Sequence, residues 1–231
     1  MNNTKTEFEK RIVEINKYFQ FLIILDKGEC SVHCLSIDQK HISENVDSEL
    51  IKILKANGFI LLYNLIESTV RKSLEAIFAV IYTESLTFQQ LSDNLKNLWI
   101  NQKAIVLKGG IDAINYDKIK NLLLDVANSI IENQIMQLET ECIRISGNID
   151  ARSIRDLAKK IGFEQTAIDG SVLEIIKKKR NNLAHGEFTF GEIGKDFSVN
   201  DMIRYKENTY IHLTDVLNNI EDFISNRKFA K

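Results

Sequence analysis

The sequence predicts an all-α protein, an up-and-down helical bundle with a small strand-containing insertion. Its 231 residues include no proline, whereas average usage would give about eleven or twelve, and proline is the strongest helix breaker. Apolar residues also recur at steps of three and four along most of the chain, which is the period of a helix buried on one face. A chain of this length fits one large domain, so we expect a single helical domain over residues 1–231.

The apolar period places each helix. The first helix is expected over residues 4–27, and a polar connection follows it, so that residues 1–47 form an N-terminal segment. Ser48 is a suitable N-cap for a long second helix. Gly162 and Gly186 each follow a later helix as its stop signal. The remaining helices are expected at residues 48–83, 87–103, 116–138, 151–161, 171–184 and 199–227.

The period changes after residue 138. Residues 142–146 alternate in polarity and are partly β-branched, and Gly147-Asn148 is a turn signal. The sequence therefore predicts a short strand there, inside a small β/α insertion at residues 139–167.

Charge and cysteine content narrow the class of protein. Thirty basic and thirty-two acidic side chains give a formal net charge of −2, which excludes a strongly basic scaffold that coats nucleic acid. Three cysteines are a sparse and odd set for a secreted disulfide framework. The N-terminus has no apolar signal segment, and no apolar run approaches the roughly 18 residues of a membrane span. We therefore expect a cytoplasmic protein without a membrane partner.

A zinc site is the one metal interpretation that the cysteines invite, at Cys30, His33 and Cys34. The adjacent His33 and Cys34 are awkward ligands for one tetrahedral ion, and no second ligand pair follows at a suitable spacing. The sequence predicts no metal site and indicates no cofactor.

One helix end carries the residues best suited to chemistry, in the segment 177–186, which holds the only basic cluster beside a histidine. On a helical wheel, Arg180 falls at the edge of the stripe that Val172, Ile176 and Leu183 are expected to bury. A guanidinium in that position cannot lose its charge, so it needs a carboxylate, a phosphate or carbonyl oxygens.

His185 lies in the last turn of the same helix, where the helix carbonyls favour a protonated imidazole. Asn181 is one turn before it, at the spacing that lets the two side chains touch. An imidazole in this setting is suited to general acid or base catalysis.

The long second helix contains a matching carboxylate. Glu67 falls inside the apolar stripe of that helix, and Arg71 is one turn further on. A carboxylate on a core-facing stripe is rarely tolerated without a cation, and Arg180 is the leading candidate for its partner.

These residues carry a resemblance to a known family. Arg180 to His185 fits the R-polar-xxx-H pattern of the HEPN superfamily of helical nucleotide-binding domains and ribonucleases. Together with Phe59 to Arg71, Ser146 to Asp150 and the following Gly186, the segment resembles the prokaryotic MAE-type HEPN-like nucleases. The resemblance spans most of residues 48–228.

The resemblance implies a ribonuclease. HEPN ribonucleases are helical bundles that dimerise with two such motifs facing each other, and they cut RNA without a metal by attack of the 2′-hydroxyl on its own phosphate. Carried over, His185 would transfer protons, Arg180 would hold the phosphate and its developing charge, and Asn181 would orient the histidine or the phosphate. Glu67 would position Arg180, with Arg71 as a second supporting residue.

A homodimer also agrees with the helical wheel. Arg180 and His185 fall about 140° apart on one helix, so two antiparallel copies present both side chains to one phosphate more easily than one copy does. The resemblance further implies a role as a toxin or antiviral effector, with a cognate antitoxin or a neighbouring defence protein as a partner beside RNA.

Two sets of residues have competing interpretations. Lys177, Lys178 and Lys179 are either a solvated face or a surface that attracts phosphates. Tyr205 either stacks on a nucleotide or packs inside the protein.

Two other functions also fit the sequence. The chain could be a HEPN module that binds nucleotides or RNA without cutting, or a DNA-binding regulator. The second possibility rests on residues 151–185, which resemble a helix-turn-helix, although Asp169-Gly170 would then lie in its recognition helix, where glycine weakens the helix and the carboxylate repels phosphate.

Overall fold

The computed structural model describes residues 1–35, 41–107, 116–140, 143 and 148–231. Strands β1 (Ser31–Leu35) and β2 (His41–Asn45) form an antiparallel pair, and 3-10 turns cover Phe88–Gln90 and Ala104–Leu107. The predicted all-α class with a small strand-containing element is confirmed. The helices are α1 (Asn2–Leu25), α2 (Ser48–Thr83), α3 (Asp93–Lys103), α4 (Tyr116–Ile131), α5 (Ala151–Ile161), α6 (Ser171–Ala184), α7 (Phe190–Gly194) and α8 (Val199–Ser225).

Five of the predicted helices lie where the apolar period puts them. The bounds of α2, α5 and α6 agree with the prediction, and those of α1 and α8 differ by two residues at most. The predicted N-cap of α2 is wrong by one residue, because the carboxylate of Asp47, not Ser48, accepts from the N–H of Leu50 at 2.8 Å. Gly162 ends α5 in the left-handed conformation, with φ of 103°, and its N–H donates to the carbonyl of Ala158. No described helix combines the length and apolarity that crossing a membrane requires.

Two predicted helix bounds are wrong. The helix expected from residue 87 begins at Asp93, because Ser92 is extended as its N-cap and residues 88–90 form a separate 3-10 turn. The helix expected to reach residue 138 ends at Ile131. Asn133 has φ of 50°, and the N–H of Met136 then donates to the carbonyl of Leu86 at 2.8 Å instead of continuing a helix.

The strand content also differs from the prediction. The polar connection before residue 47 contains the β1–β2 hairpin, whose register pairs Ser31 with Asn45 and Leu35 with His41. The strand predicted at residues 142–146 lies outside the described residues, apart from Ile143. α7 was not predicted, because its five residues are too short for a helical period to show.

The chain divides into two compact units. The first unit comprises Lys5–Glu67 and Asp169–His212, and the second comprises Met1–Thr4, Ser68–Ile168 and Leu213–Lys231. The single domain expected over residues 1–231 stays a prediction.

Aromatic packing and one close backbone approach organise the first unit. The ring of Phe59 on α2 lies 4.9 Å from that of Phe197 and 6.1 Å from that of Tyr205 on α8, measured between centroids. The short helix α7 approaches α2 so closely that a Cβ on Gly194 would lie 1.9 Å from the carbonyl oxygen of Lys52. Only glycine fits there, so α7 is fixed against α2 just after the motif helix α6.

The second unit encloses the C-terminal residues. Phe223 packs against Phe163 at 6.4 Å and against Phe229 at 6.1 Å. The N–H of Ser92 donates to the carbonyl of Phe229 at 2.9 Å, and Lys231 pairs with Asp93 at 2.7 Å. These bonds hold the last residues against the start of α3.

Candidate active site

The motif helix α6 is anchored by its first two turns. The carboxylate of Asp169 accepts hydrogen bonds from the hydroxyl of Ser171 at 2.7 Å and from its N–H at 3.0 Å, and both bonds lower the pKa of that carboxyl. Val172, Leu173 and Ile176 are buried. The helix is thereby fixed before it reaches the predicted catalytic residues.

The end of α6 is a tight, fully hydrogen-bonded turn. His185 is the C-cap, and Gly186 follows in the left-handed conformation with φ of 69°. The N–H of Glu187 donates to the carbonyl of Asn182 at 3.0 Å, and that of Gly186 donates to the carbonyl of Leu183 at 3.2 Å. This pair of bonds is a Schellman motif. The motif fixes the backbone of His185. Leu183 is only half-buried, so the prediction that it belongs to the buried stripe of α6 is wrong.

Arg180 is held by three neighbours. Its guanidinium lies over the ring of Tyr63, with Cζ 4.3 Å from the ring centroid. Its Nη1 donates to Oδ1 of Asn181 at 3.0 Å. Its Nη2 lies 3.9 Å from Oε2 of Glu67. The two groups form an ion pair, but this distance is too long for a hydrogen bond. The structure thus brings Arg180 and Glu67 together, as the core-facing positions of both predicted.

Tyr63 is a site residue that the sequence did not reveal. Its side chain is fully buried on α2, one turn before Glu67. A tyrosine in an apolar stripe is normally interpreted as core, and only its i, i+4 relation to Glu67 linked it to the carboxylate. A guanidinium stacked on an aromatic face gains a cation–π contact and a fixed plane.

His185 remains exposed at the helix end. The backbone N–H of His185 donates to the backbone carbonyl of Asn181 at 2.9 Å. The side-chain oxygen of Asn181, however, accepts from Arg180 and not from the imidazole. Within the described part of the chain, no hydrogen bond or ion pair to the ring of His185 is present. An exposed imidazole can meet a substrate directly.

The three lysines before Arg180 differ in their surroundings. Lys179 extends toward the aromatic cluster, with Nζ 3.9 Å from Oδ2 of Asp196 and 5.1 Å from the ring centroid of Phe197. Lys178 is exposed, and Lys177 is half-buried. Of the three, Lys178 is the one most open to a phosphate.

The other two predicted residues differ in their exposure. Arg71 is exposed, one turn after Glu67 on α2. Tyr205 is 8% exposed and packs 5.9 Å from Phe197. Stacking on a base would require Tyr205 to leave the aromatic cluster.

The helix-turn-helix alternative meets a structural obstacle. Its second helix would need to cover residues 164–173, but residues 164–170 are not helical and α6 begins at Ser171. Residues 162–170 separate α5 from α6. A helix-turn-helix needs its two helices joined by a tight turn of about three or four residues.

Among the described ranges, no group of three or more His, Cys, Asp or Glu side chains is close enough to hold an ion.

Comparison with known proteins confirms the family that the sequence resembles. A protein-family model described as HEPN_MAE_28990-like HEPN matches residues 2–229. No curated protein and no solved structure gives a significant match. The match includes α6 and extends over α1, which the resemblance from the motifs did not cover.

Proposed function

Since this chain belongs to the HEPN_MAE_28990-like HEPN family, we propose that it is a metal-independent endoribonuclease whose active site forms from two copies of α6. The observation that carries this proposal is that the last turns of one helix bear both a cation fixed in orientation and an exposed imidazole. Arg180 is fixed by Tyr63, Asn181 and Glu67. His185 follows five residues later on a rigid turn.

The proposed reaction is an internal transfer of the phosphate. The 2′-oxygen of a nucleotide attacks the adjacent phosphorus, its proton passes to a neutral imidazole, and the bond from phosphorus to the 5′-oxygen breaks. The leaving 5′-oxygen takes a proton from a protonated imidazole, so that the products are a 2′,3′-cyclic phosphate and a 5′-hydroxyl. Two copies of His185, one neutral and one protonated, would supply both steps.

Arg180 would stabilise the charge that develops on the phosphate oxygens. Its side chain is 26% exposed, so an anion can reach part of the guanidinium while Tyr63 and Glu67 hold the rest. A planar fork held in one orientation binds two phosphate oxygens at once and needs little reorganisation as charge develops. Lys178 adds an exposed cation on the same helix.

The test is cleavage of RNA in the presence of EDTA. His185→Ala should reduce the rate by roughly 10²–10⁴, the usual contribution of general acid–base catalysis. Because the ring is exposed, the melting temperature should hardly change. His33→Ala, which removes another exposed histidine from β1, is the matched control and should leave the rate unchanged. Undiminished cleavage by His185→Ala would refute the assignment.

A second candidate is a HEPN module that binds RNA without cutting it. One observation favours it: a catalytic histidine is usually oriented by a hydrogen bond to its second ring nitrogen, and none is present among the described residues. In that case wild-type protein would bind RNA and leave it intact, and Arg180→Ala would weaken binding.

We also propose that the protein acts in bacteria as a toxin or antiviral effector, restrained by a cognate antitoxin or a neighbouring defence protein. The support is the family relationship alone. Growth arrest on expression of the wild type, but not of His185→Ala, would be the expected result.

A further inference from the structure

A second cationic surface lies on α5, in the second unit. Arg152, Arg155, Lys159 and Lys160 are all exposed. Arg152, Arg155 and Lys159 fall within about 60° on the helical wheel and span about 10 Å of the helix axis. The opposite face of α5 is buried, through Ala151, Ile154, Leu157, Ala158 and Ile161. The orientation of the cationic face is therefore fixed.

The cations of this face have no acidic partner among the residues that the structure describes. Within the described ranges none of the four lies within 4.0 Å of a carboxylate oxygen. On α6, by contrast, Lys179 and Arg180 both have acidic partners. The one carboxylate that α5 itself carries is Asp156, which is also exposed. Four cations and one anion leave α5 with a charge of +3, in a chain whose net charge is −2.

The stability of the helix does not explain the two arginines. Lys159 and Lys160 lie in the last turn, where a cation stabilises a helix. Arg152 lies in the first turn, where the N–H groups repel a cation, and Arg155 follows one turn later. The start of α5 is capped by other groups, since Asp150 and Ser153 form a reciprocal capping box. Arg152 therefore opposes the local field of the helix, and Arg155 lies beyond the turn in which that field acts.

We propose that the face of Arg152, Arg155 and Lys159 binds the phosphate backbone of RNA without regard to sequence. The choice of RNA as the polyanion rests on the proposed function; the surface itself rests on the exposure, spacing and missing ion pairs of these side chains. Arginine forks suit phosphate oxygens, and contacts to the backbone give affinity but no sequence preference. The surface would add binding energy that does not depend on the motif in α6.

The test uses a short fluorescent 2′-O-methyl oligouridine, which lacks the attacking hydroxyl and so is not cleaved. For single strands, each phosphate contact changes the slope of log affinity against log salt by about 0.7. The double variant Arg152→Gln/Arg155→Gln should reduce that slope by about 1.4 and weaken binding about 20-fold at about 0.1 M salt. Asp156→Asn, which removes the negative charge of the face, should bind more tightly than the wild type.

The control is Lys17→Gln/Lys27→Gln, which removes the same charge from two exposed lysines outside α5. It should bind the probe within about twofold of the wild type, since it removes no phosphate contact. An equal loss in both double variants would overturn the inference, because net charge alone would then explain it. So would failure of the wild type to bind the probe.

Other partners would also appear in this experiment. Binding of duplex DNA in preference to oligouridine, or of phosphatidylserine vesicles through the same arginines, would overturn the assignment to RNA. The proposed function is judged separately. If the protein cleaves RNA but its affinity for the probe does not depend on Arg152 and Arg155, only the present inference is refuted. If it binds the probe through α5 but cleaves no RNA, only the proposed nuclease function is refuted.

Discussion

The guanidinium of Arg180 contacts an aromatic ring, a side-chain amide and a carboxylate. The stacking on Tyr63 suits a planar group, which lysine lacks, and the same guanidinium also donates to Asn181 through Nη1. We expect Arg180→Lys to lose most RNA cleavage. Its free energy of unfolding should fall by about 1 kcal/mol, the size of one cation–π contact. Cleavage assays and thermal melting measure the two effects.

Arg204 offers a matched control for that substitution. It also lies over a tyrosine, 5.5 Å from the ring centroid of Tyr205, and pairs with Asp201 at 3.0 Å. Arg204→Lys should therefore cost similar stability without a loss of cleavage. If both variants lose activity alike, the stacked arginine on α6 has no special role.

The pairing of Arg180 with Glu67 was open to prediction because both residues interrupt an apolar stripe. A charge on a core-facing position needs a partner, and the sequence offers few. Tyr63 gave no such signal, since a buried tyrosine fits the stripe of α2. Tyr205 was a candidate for stacking on a base, but it packs in the aromatic cluster with Phe59 and Phe197. The sequence alone did not distinguish a buried tyrosine from one that contacts a ligand. Sequence patterns identify misplaced charges better than they identify the aromatic rings around them.

At the scale of elements, the turn that ends α6 determines where His185 points. Gly186 has φ of 69°, and a Cβ there would meet no atom within 4 Å, so the cost of a side chain is backbone strain alone. We expect Gly186→Ala to destabilise the protein by about 1–2 kcal/mol and to lower cleavage as well, because relief of the strain moves His185.

Gly28 provides the comparison for that variant. A Cβ at Gly28 also meets nothing within 4 Å, and its φ lies outside the left-handed region. Gly28→Ala should leave the melting temperature and the activity unchanged. A Gly186→Ala protein with normal cleavage would show that the turn is not needed to position the histidine.

The elements that were predicted correctly are those with a long apolar period and a clear cap. α2 and α5 each begin at a predicted residue, and Gly162 ends α5 as expected. The errors lie where tertiary hydrogen bonds override the local pattern. α4 stops early because residues after it bond to the segment before α3, as in the bond from Met136 to Leu86. The hairpin β1–β2 was not predicted because its strands are only five residues long and β2 is mostly polar.

At the scale of the whole molecule, the proposed site requires two copies of the chain. If both imidazoles of a dimer are needed for each cleavage, a protomer carrying His185→Ala should inactivate the wild-type protomer that it joins. After equal amounts of the two proteins are mixed and allowed to exchange subunits, about a quarter of the dimers are fully wild type by random pairing of a symmetric dimer. Activity per wild-type chain should then fall to about half.

The dependence on the mixing ratio distinguishes the models. Activity should follow the square of the wild-type fraction if the site is shared, and the fraction itself if each chain acts alone. A mixture with Gly28→Ala controls for the exchange, since it should keep full activity. A linear dependence, with exchange confirmed by differently tagged chains, would mean that one motif suffices, and the pairing of two copies of α6 would have to be abandoned even if the protein cleaves RNA.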